Sequence, residues 1–380
     1  MPLTPKLPDV GTSIFAVMSG LAHECDAINL SQGFPSFDCA EGLKEKVFHH
    51  MKRGKNQYAP MPGIRPLRAA ISDKVSRLYN RSLDMDEEIT ITAGATQALY
   101  VAITAIVDPG DEVIIFEPAY DSYGPAIRLS AGIPVPYEMS PPDYTIDWER
   151  VRSMIHSRTK LLFINTPHNP SGKVLYEADM KAIQAIIRDF DVYFIFDEVY
   201  EHLIFDDLTH QSALLYDDIY RRSMVIYSFG KTYHNTGWKM GYCIAPEFLT
   251  NAFRKIHQFN VFSVNTPIQY ALADYMQNEE TYLSLPDFYE KKRNFMEDII
   301  RQTRFTPIKC HGTYFQLASY AEISDEPDLD FAQRITKEYG VASIPASPFY
   351  SKRTDFKVVR FCFAKSEEIM NAAGEQLIKI

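Results

Sequence analysis

Arg222–Pro246 reads RSMVIYSFGKTYHNTGWKMGYCIAP, and the rest of the chain is organised around this stretch. Met224–Phe229 is an apolar run of the kind that forms a buried strand, and it stops at Gly230. Lys231 follows at once. A second strand-like run, Trp238–Ala245, begins after Thr236 and Gly237. A lysine therefore stands just past a strand end, between two glycines, with Ser228 before it and Lys239 after it. Open α/β sheets collect their ligands at such strand ends. Taken alone, Lys231 also reads as a solvated loop lysine between glycines that merely shape a turn. A nucleotide-binding loop is a third reading, but Val225 occupies the place where GxxxxGKT requires its first glycine.

The surrounding chain supplies the sheet. From Glu88 onward strands and helices alternate. ITITAG, from Ile89, reads as strand then turn, and ATQALYVAITAIV as a helix with little charge. DPGDEVIIFEP is turn, strand, turn, and a short helix starts near Pro125. Leu161–Ile164 is a strand, Glu177–Phe190 a helix, and Val192–Phe196 an almost wholly apolar strand ending at Asp197. Apolar strands separated by helices predict an α/β fold whose mostly parallel sheet is covered on both faces. Further helices are expected at Glu41–Lys52 and Glu247–Gln258. Phe288–Thr303, charged and periodic, reads as a helix crossing between domains. The remainder, with YFQLASY, a helix at Phe331–Tyr339 and FKVVRFCFA, reads as a smaller α+β domain. The expected division is 1–37 as an arm and part of the small domain, 38–285 as the large domain, and 286–380 as the interdomain helix and C-terminal small domain.

Composition narrows the function. The chain has 380 residues, 46% of them hydrophobic, and a formal net charge of -10. A globally acidic balance argues against nucleic-acid binding. The five cysteines are scattered, with no CxxC pair, which argues against a disulfide or zinc scaffold and for a reducing compartment. The start, MPLTPKLPD, has no basic region followed by an apolar core, and no apolar run is long enough to span a bilayer. The expectation is a soluble cytoplasmic protein with neither nucleic-acid nor membrane partners.

Several motifs carry chemistry. GATQ, Gly94–Gln97, lies where a strand turns into a helix, a place where free backbone N–H groups hold a phosphate without a basic residue. NTPHNPSGKV, Asn165–Val174, holds Asn169 in a proline-stiffened loop after a buried strand; turn formation is the alternative role for that asparagine. Asp197 ends a buried strand, with Tyr200 three residues on, and a carboxylate there is costly unless paired. No HExxH or carboxylate–histidine spacing completes a metal site around Asp197 and Glu198, so no metal is expected. A cationic ring nitrogen would be a sufficient partner. VVRFCFA places Arg360 inside an apolar run, where its planar fork suits a carboxylate; a structural salt bridge is the competing explanation. A lysine, an aspartate and a phosphate cup together fit pyridoxal phosphate.

The order NLSQGFP, NQYAPMPG, NTPHNPSGKV, DEVYEH, SFGKTYHNTGWKMGY resembles that of fold-type I aminotransferases of class I/II over essentially the whole chain. Within that family the chain resembles kynurenine aminotransferase/glutamine transaminase K and bacterial methionine aminotransferases. The resemblance implies a homodimer with shared active sites, acting on an amino acid and a 2-oxo acid. It implies that Lys231 links covalently to pyridoxal 5'-phosphate and shuttles the proton, and that Asp197 pairs with the pyridine nitrogen. Asn169 and Tyr200 would bond the ring oxygen, and Tyr120 would stack on the ring, where several relatives carry phenylalanine. Ala95, Thr96, Ser228 and Lys239 would surround the phosphate, with Tyr58 reaching the phosphate of the neighbouring subunit. Arg360 would clamp the substrate carboxylate, helped by the Gly33 backbone and Asn169. Phe15 would border the side-chain pocket, where some kynurenine aminotransferases carry tryptophan. A carbon–sulfur β-lyase on the same scaffold shares these motifs. A regulator with a DNA-binding module finds no room for that module within these residues.

Overall fold

The computed structural model describes residues 5–380; the first four residues of the expected arm lie outside the described residues. In chain order the strands are β1 (Ile28–Asn29), β2 (Ile89–Thr92), β3 (Glu112–Glu117), β4 (Ile133–Glu138), β5 (Thr159–Asn165), β6 (Tyr193–Asp197) and β7 (Ser223–Ser228). They continue with β8 (Gly241–Ile244), β9 (Thr306–Pro307), β10 (Phe315–Ser319), β11 (Val341–Ala342), β12 (Ile344–Pro345) and β13 (Val358–Cys362). The large sheet runs in the order β2-β8-β7-β6-β5-β3-β4. β8 is antiparallel to both neighbours, and the other pairings are parallel.

The continuous apolar runs follow from burial on both sides. Successive residues of a strand point to opposite faces. Ile114, Phe116, Leu162, Ile164, Phe194, Phe196 and Val225 join the core on one face. Their alternates Val113, Ile115, Leu161, Phe163, Ile195 and Met224 join the core on the other. The uncharged helix Ala95–Ile106 belongs to that second core, with Ala98, Val101 and Ala102 fully buried.

Two boundaries around Lys231 differ from the sequence expectation. β7 ends at Ser228, and Phe229–Thr232 forms one helical turn, so Lys231 sits on helical backbone. The second strand begins at Gly241 instead of Trp238. Thr236–Trp238 makes a tight 3-10 turn and Lys239 takes a left-handed φ of 53°, which interrupts an extended run. Propensity and apolarity do not reveal such a turn when its residues otherwise suit a strand.

A second sheet, β12-β13-β10-β9, is antiparallel throughout. β1 pairs in parallel with β11, tying the segment around Ile28 to Val341. The helix Leu285–Arg301 turns Tyr289, Arg293, Met296 and Ile300 inward, and packs on β10 and the helix Glu367–Leu377. The cores interlock. Val199, Tyr200 and Leu203, just after β6, belong to the core of the smaller sheet. Leu317 and Val358 of the smaller sheet belong to the core of the larger. Among the described residues no helix is long and apolar enough to cross a membrane.

Candidate active site

A cavity of about 300 Å³ opens at the C-terminal ends of β5, β6 and β7, where the two sheets meet. It gathers Phe15, Gly33, Ala95, Thr96, Tyr120, Asn169, Asp197, Tyr200, Ser228, Lys231, Lys239 and Arg360. Of the residues singled out in the sequence, Tyr58 lies outside it, 82% exposed with its ring edge-on to Phe262. The parallel register explains part of the gathering: Asn165 stands opposite Asp197, and Asp197 opposite Ile226.

At the sheet end of the cavity, Asp197 is buried. Its carboxylate accepts from the Tyr123 hydroxyl at 2.6 Å and the Val199 amide at 3.3 Å. Burial nevertheless raises it to about 6, against these bonds and the charge of Lys231. The Tyr123 ring is packed on Phe163 at 4.0 Å, so the donor is rigidly placed. A protonated ring nitrogen brought to this carboxylate would find a charge without a cationic hydrogen-bond partner.

The helix Ala95–Ile106 begins at the same place. Its N-cap, Gly94, has φ of 81°, a conformation that strains other residues, and a Cβ there would lie 3.3 Å from the Lys239 side chain. The first amides of this helix have no intrahelical acceptor. With Ser228 at the end of β7 and Lys239 beside Gly94, they form a cup suited to a phosphate.

Lys231 is partly buried. Its Nζ donates to the Tyr314 hydroxyl at 2.7 Å and to the Gly33 carbonyl at 3.2 Å. Burial, with the charges of Arg360 and Lys239, lowers its pKa to about 8, outweighing the opposing pull of Cys362 and Asp197. An amine so tuned has a usable neutral fraction near neutral pH, which a nucleophile or a base requires.

Arg360 lies on β13 opposite Leu317 and Ile344, and is 1% exposed. It donates to Asn169 Oδ1 at 3.0 Å and to the Ser31 carbonyl at 3.1 Å, while its Nε has no partner. Among the described residues it forms no ion pair, which removes the structural salt bridge as an explanation. The Phe315 ring lies 3.9 Å under the guanidinium and Phe15 5.1 Å away, so the charge is held between aromatic faces. A Cβ on Gly33 would come within 2.9 Å of that Phe315 ring, so glycine lets the chain approach.

Sequence reading missed Tyr123, Asn165, Tyr314 and Phe315. Tyr123 and Asn165 lie within three or four residues of named candidates, in YDSY and NTPHN. Tyr314 and Phe315 lie at the start of a strand-like run, where an aromatic reads as core.

The residues fit pyridoxal phosphate at each of its ends: a phosphate cup, an aromatic ring at Tyr120, a carboxylate for a cationic nitrogen and an amine for the aldehyde. A family profile, aminotransferase class I and II, matches residues 26–376. The chain is 49% identical to the methionine aminotransferase of Escherichia coli over 99% of its length and 98% of that protein's. It is 33% identical to human kynurenine–oxoglutarate transaminase 3 over 98% of its length and 89% of that protein's. Among solved structures, E. coli YbdL, described as having a methionine aminotransferase function, superposes with a TM-score of 0.97 at 48% identity, both chains fully covered. The N-succinyldiaminopimelate aminotransferase of Mycobacterium tuberculosis superposes with a TM-score of 0.96 at 32% identity, also with full coverage. The chain belongs to the class I and II aminotransferases of fold type I, and its cofactor is pyridoxal phosphate.

Proposed function

We propose that this protein moves the α-amino group of methionine to a 2-oxo acid, with aromatic amino acids and glutamine as further donors. The observation that carries this reading is Arg360, a buried arginine with no carboxylate bonded to it among the described residues, in the same cavity as Lys231 and Asp197. An α-carboxylate completes it with charge-assisted bonds. Phe15, Tyr120 and Phe315 make the cavity wall aromatic, a surface on which a thioether packs well. Arg360 is the only arginine among the described residues lining the cavity, so the second carboxylate of aspartate has no matching partner there. The 49% identity to a methionine aminotransferase supports the same choice.

The residues take the following roles. Arg360, whose fork is oriented by its bond to Asn169 Oδ1, would bind the substrate carboxylate, helped by the Gly33 backbone and Asn169. Lys231 takes the α-proton on Nζ and returns it. Asp197, held by Tyr123, would keep a proton on the ring nitrogen, and Asn169 and Tyr200 would bond the ring oxygen. Tyr120 would cover the ring, while Ala95, Thr96, Ser228 and Lys239 would hold the phosphate. When bound, pyridoxal phosphate supplies an electron sink for the charge left at the substrate α-carbon.

The working assembly is a homodimer in the cytoplasm, and Tyr58 serves the partner's phosphate cup. Its exposure supports this, as does that of Phe262, whose ring lies 5.4 Å from it and is 54% exposed. The loop is held in place: Ser263 donates to the Ala59 carbonyl at 3.0 Å and Thr266 to the Gln57 carbonyl at 2.6 Å. Within the chain, residues 38–285 form the large domain and 286–380, with the arm of 1–37, the small one; the β1–β11 pairing supports the arm's place.

The test is an assay of initial rates for methionine, phenylalanine, kynurenine, glutamine and aspartate with several 2-oxo acids. Pyruvate release from a cysteine S-conjugate is followed in parallel. Methionine is expected to lead. Preference for kynurenine, for aspartate, or for β-elimination over transfer would overturn the substrate assignment. K231A is expected to lose both the visible absorption of the bound cofactor and turnover.

A further inference from the structure

Tyr314 has the surroundings of a core aromatic. It is fully buried, with Phe315, Tyr200 and Tyr289 rings at 4.8, 5.3 and 5.8 Å. Its hydroxyl, however, is committed. It donates to the Gly33 carbonyl at 2.6 Å, and on its other side it receives the Lys231 amine at 2.7 Å. The same carbonyl also accepts from Nζ, at 3.2 Å. Because its proton is spent on Gly33, the phenol faces the lysine only as an acceptor. An amine that donates two N–H bonds, one to each oxygen, has its lone pair directed away from both.

We propose that Tyr314 is a positioning residue for the reaction: anchored on Gly33, it holds the Lys231 amine whenever that amine is not bonded to the cofactor. The inference rests on the function proposed above. It assigns a task to a residue outside the cavity lining, and explains why a phenol stands where a phenylalanine would pack equally well. The holding site joins three separate segments: Gly33 from the N-terminal part, Lys231 from the helical turn after β7 and Tyr314 from the residue just before β10. The ionisable groups near the amine are Asp197, Tyr200, Lys239, Tyr314, Arg360 and Cys362. Of these, Tyr314 donates its proton elsewhere and accepts from the amine, so its removal withdraws support from the ammonium form. The lysine pKa then falls further below its present value near 8.

The experiment compares wild type, Y314F and Y289F. Tyr289 is a fitting control, because its buried hydroxyl has no partner and its ring packs against Tyr314. The full chain is stripped of cofactor, and the rate of covalent capture of added pyridoxal 5'-phosphate is followed against pH. Borohydride trapping and peptide mapping identify the lysine. Y314F is expected to lower the midpoint by about half a pH unit or more. The loaded Y314F enzyme is expected to lose about tenfold or more in kcat, with KM for the amino acid nearly unchanged. Y289F is expected to behave as wild type. Tyr314→2,3-difluorotyrosine, which keeps the ring's shape and weakens the oxygen as an acceptor, is expected to give a smaller shift in the same direction. An unmoved midpoint in Y314F, or an equal shift in Y289F, would overturn the proposal. Capture at a lysine other than Lys231 would instead overturn the active-site reading on which it rests.

Discussion

Two buried cations of this protein are treated in opposite ways. Lys74 is buried beside an equally buried Glu201, and the two are bonded to each other. Lys74 also donates to the Tyr242 hydroxyl at 3.0 Å, and Glu201 accepts from Tyr79 at 2.7 Å. Burial opposes the charge on Glu201, but Lys74 and its neighbours outweigh it and hold the carboxyl below the usual range. Arg360, equally buried, has two carbonyl-type acceptors, a free Nε and no carboxylate. A charge whose partner is built into the chain maintains the structure. A charge whose partner is missing is kept for something that arrives. The desolvation cost is incurred in both cases, and only in the first is it offset within the chain, fully at Glu201 and in part at Lys74, whose pKa burial still lowers.

Removing Lys74 should give the largest effect on stability. K74M strands a buried carboxylate, and the expected loss is about 3–5 kcal/mol in chemical denaturation. A loss below about 1 kcal/mol would erase the distinction between the two sites. R360A is the reverse test. It should change the melting temperature little, since no ion pair is broken, while raising KM for the amino donor by about a hundredfold. If R360A destabilised the fold as K74M does, Arg360 would be structural after all.

The smallest effect concerns Asp197, a third buried charge and an intermediate case. Its carboxyl is raised from 3.8 to about 6 by burial, so the folded state holds the proton more tightly than the unfolded state. Its contribution is therefore fully present below the unfolded value and is lost as pH rises through the folded one. The cofactor-free protein should show this as a stability that declines relative to D197N between about pH 4 and 6, by up to about 1 kcal/mol per unit. Bound cofactor, by offering a cationic nitrogen, should remove the decline. Parallel curves for the wild type and D197N without cofactor would show that Asp197 is not held partly protonated.

Much of the site was legible because its chemistry is local. Lys231 behind an apolar run, Asp197 at the end of another, Asn169 between prolines and Arg360 inside an apolar strand are anomalies of sequence, and each is an anomaly because burying polarity is costly. The alternating strands and helices likewise implied a covered parallel sheet, since continuous apolar runs need two buried faces. Residue type and order thus determined the sheet, the family resemblance and the charged members of the site. Tertiary structure alone decided which charges were completed. The sequence marks Arg360 but does not show that it is left open, and it gives no sign that Lys74 is buried and closed by a glutamate 127 positions away. Nor does it distinguish Tyr123 and Tyr314 from other tyrosines in a chain that has 23. A hydroxyl's role depends on the partner that folding brings within bonding distance, and those partners come from distant segments: Asp197 lies 74 positions from Tyr123, and Gly33 281 from Tyr314.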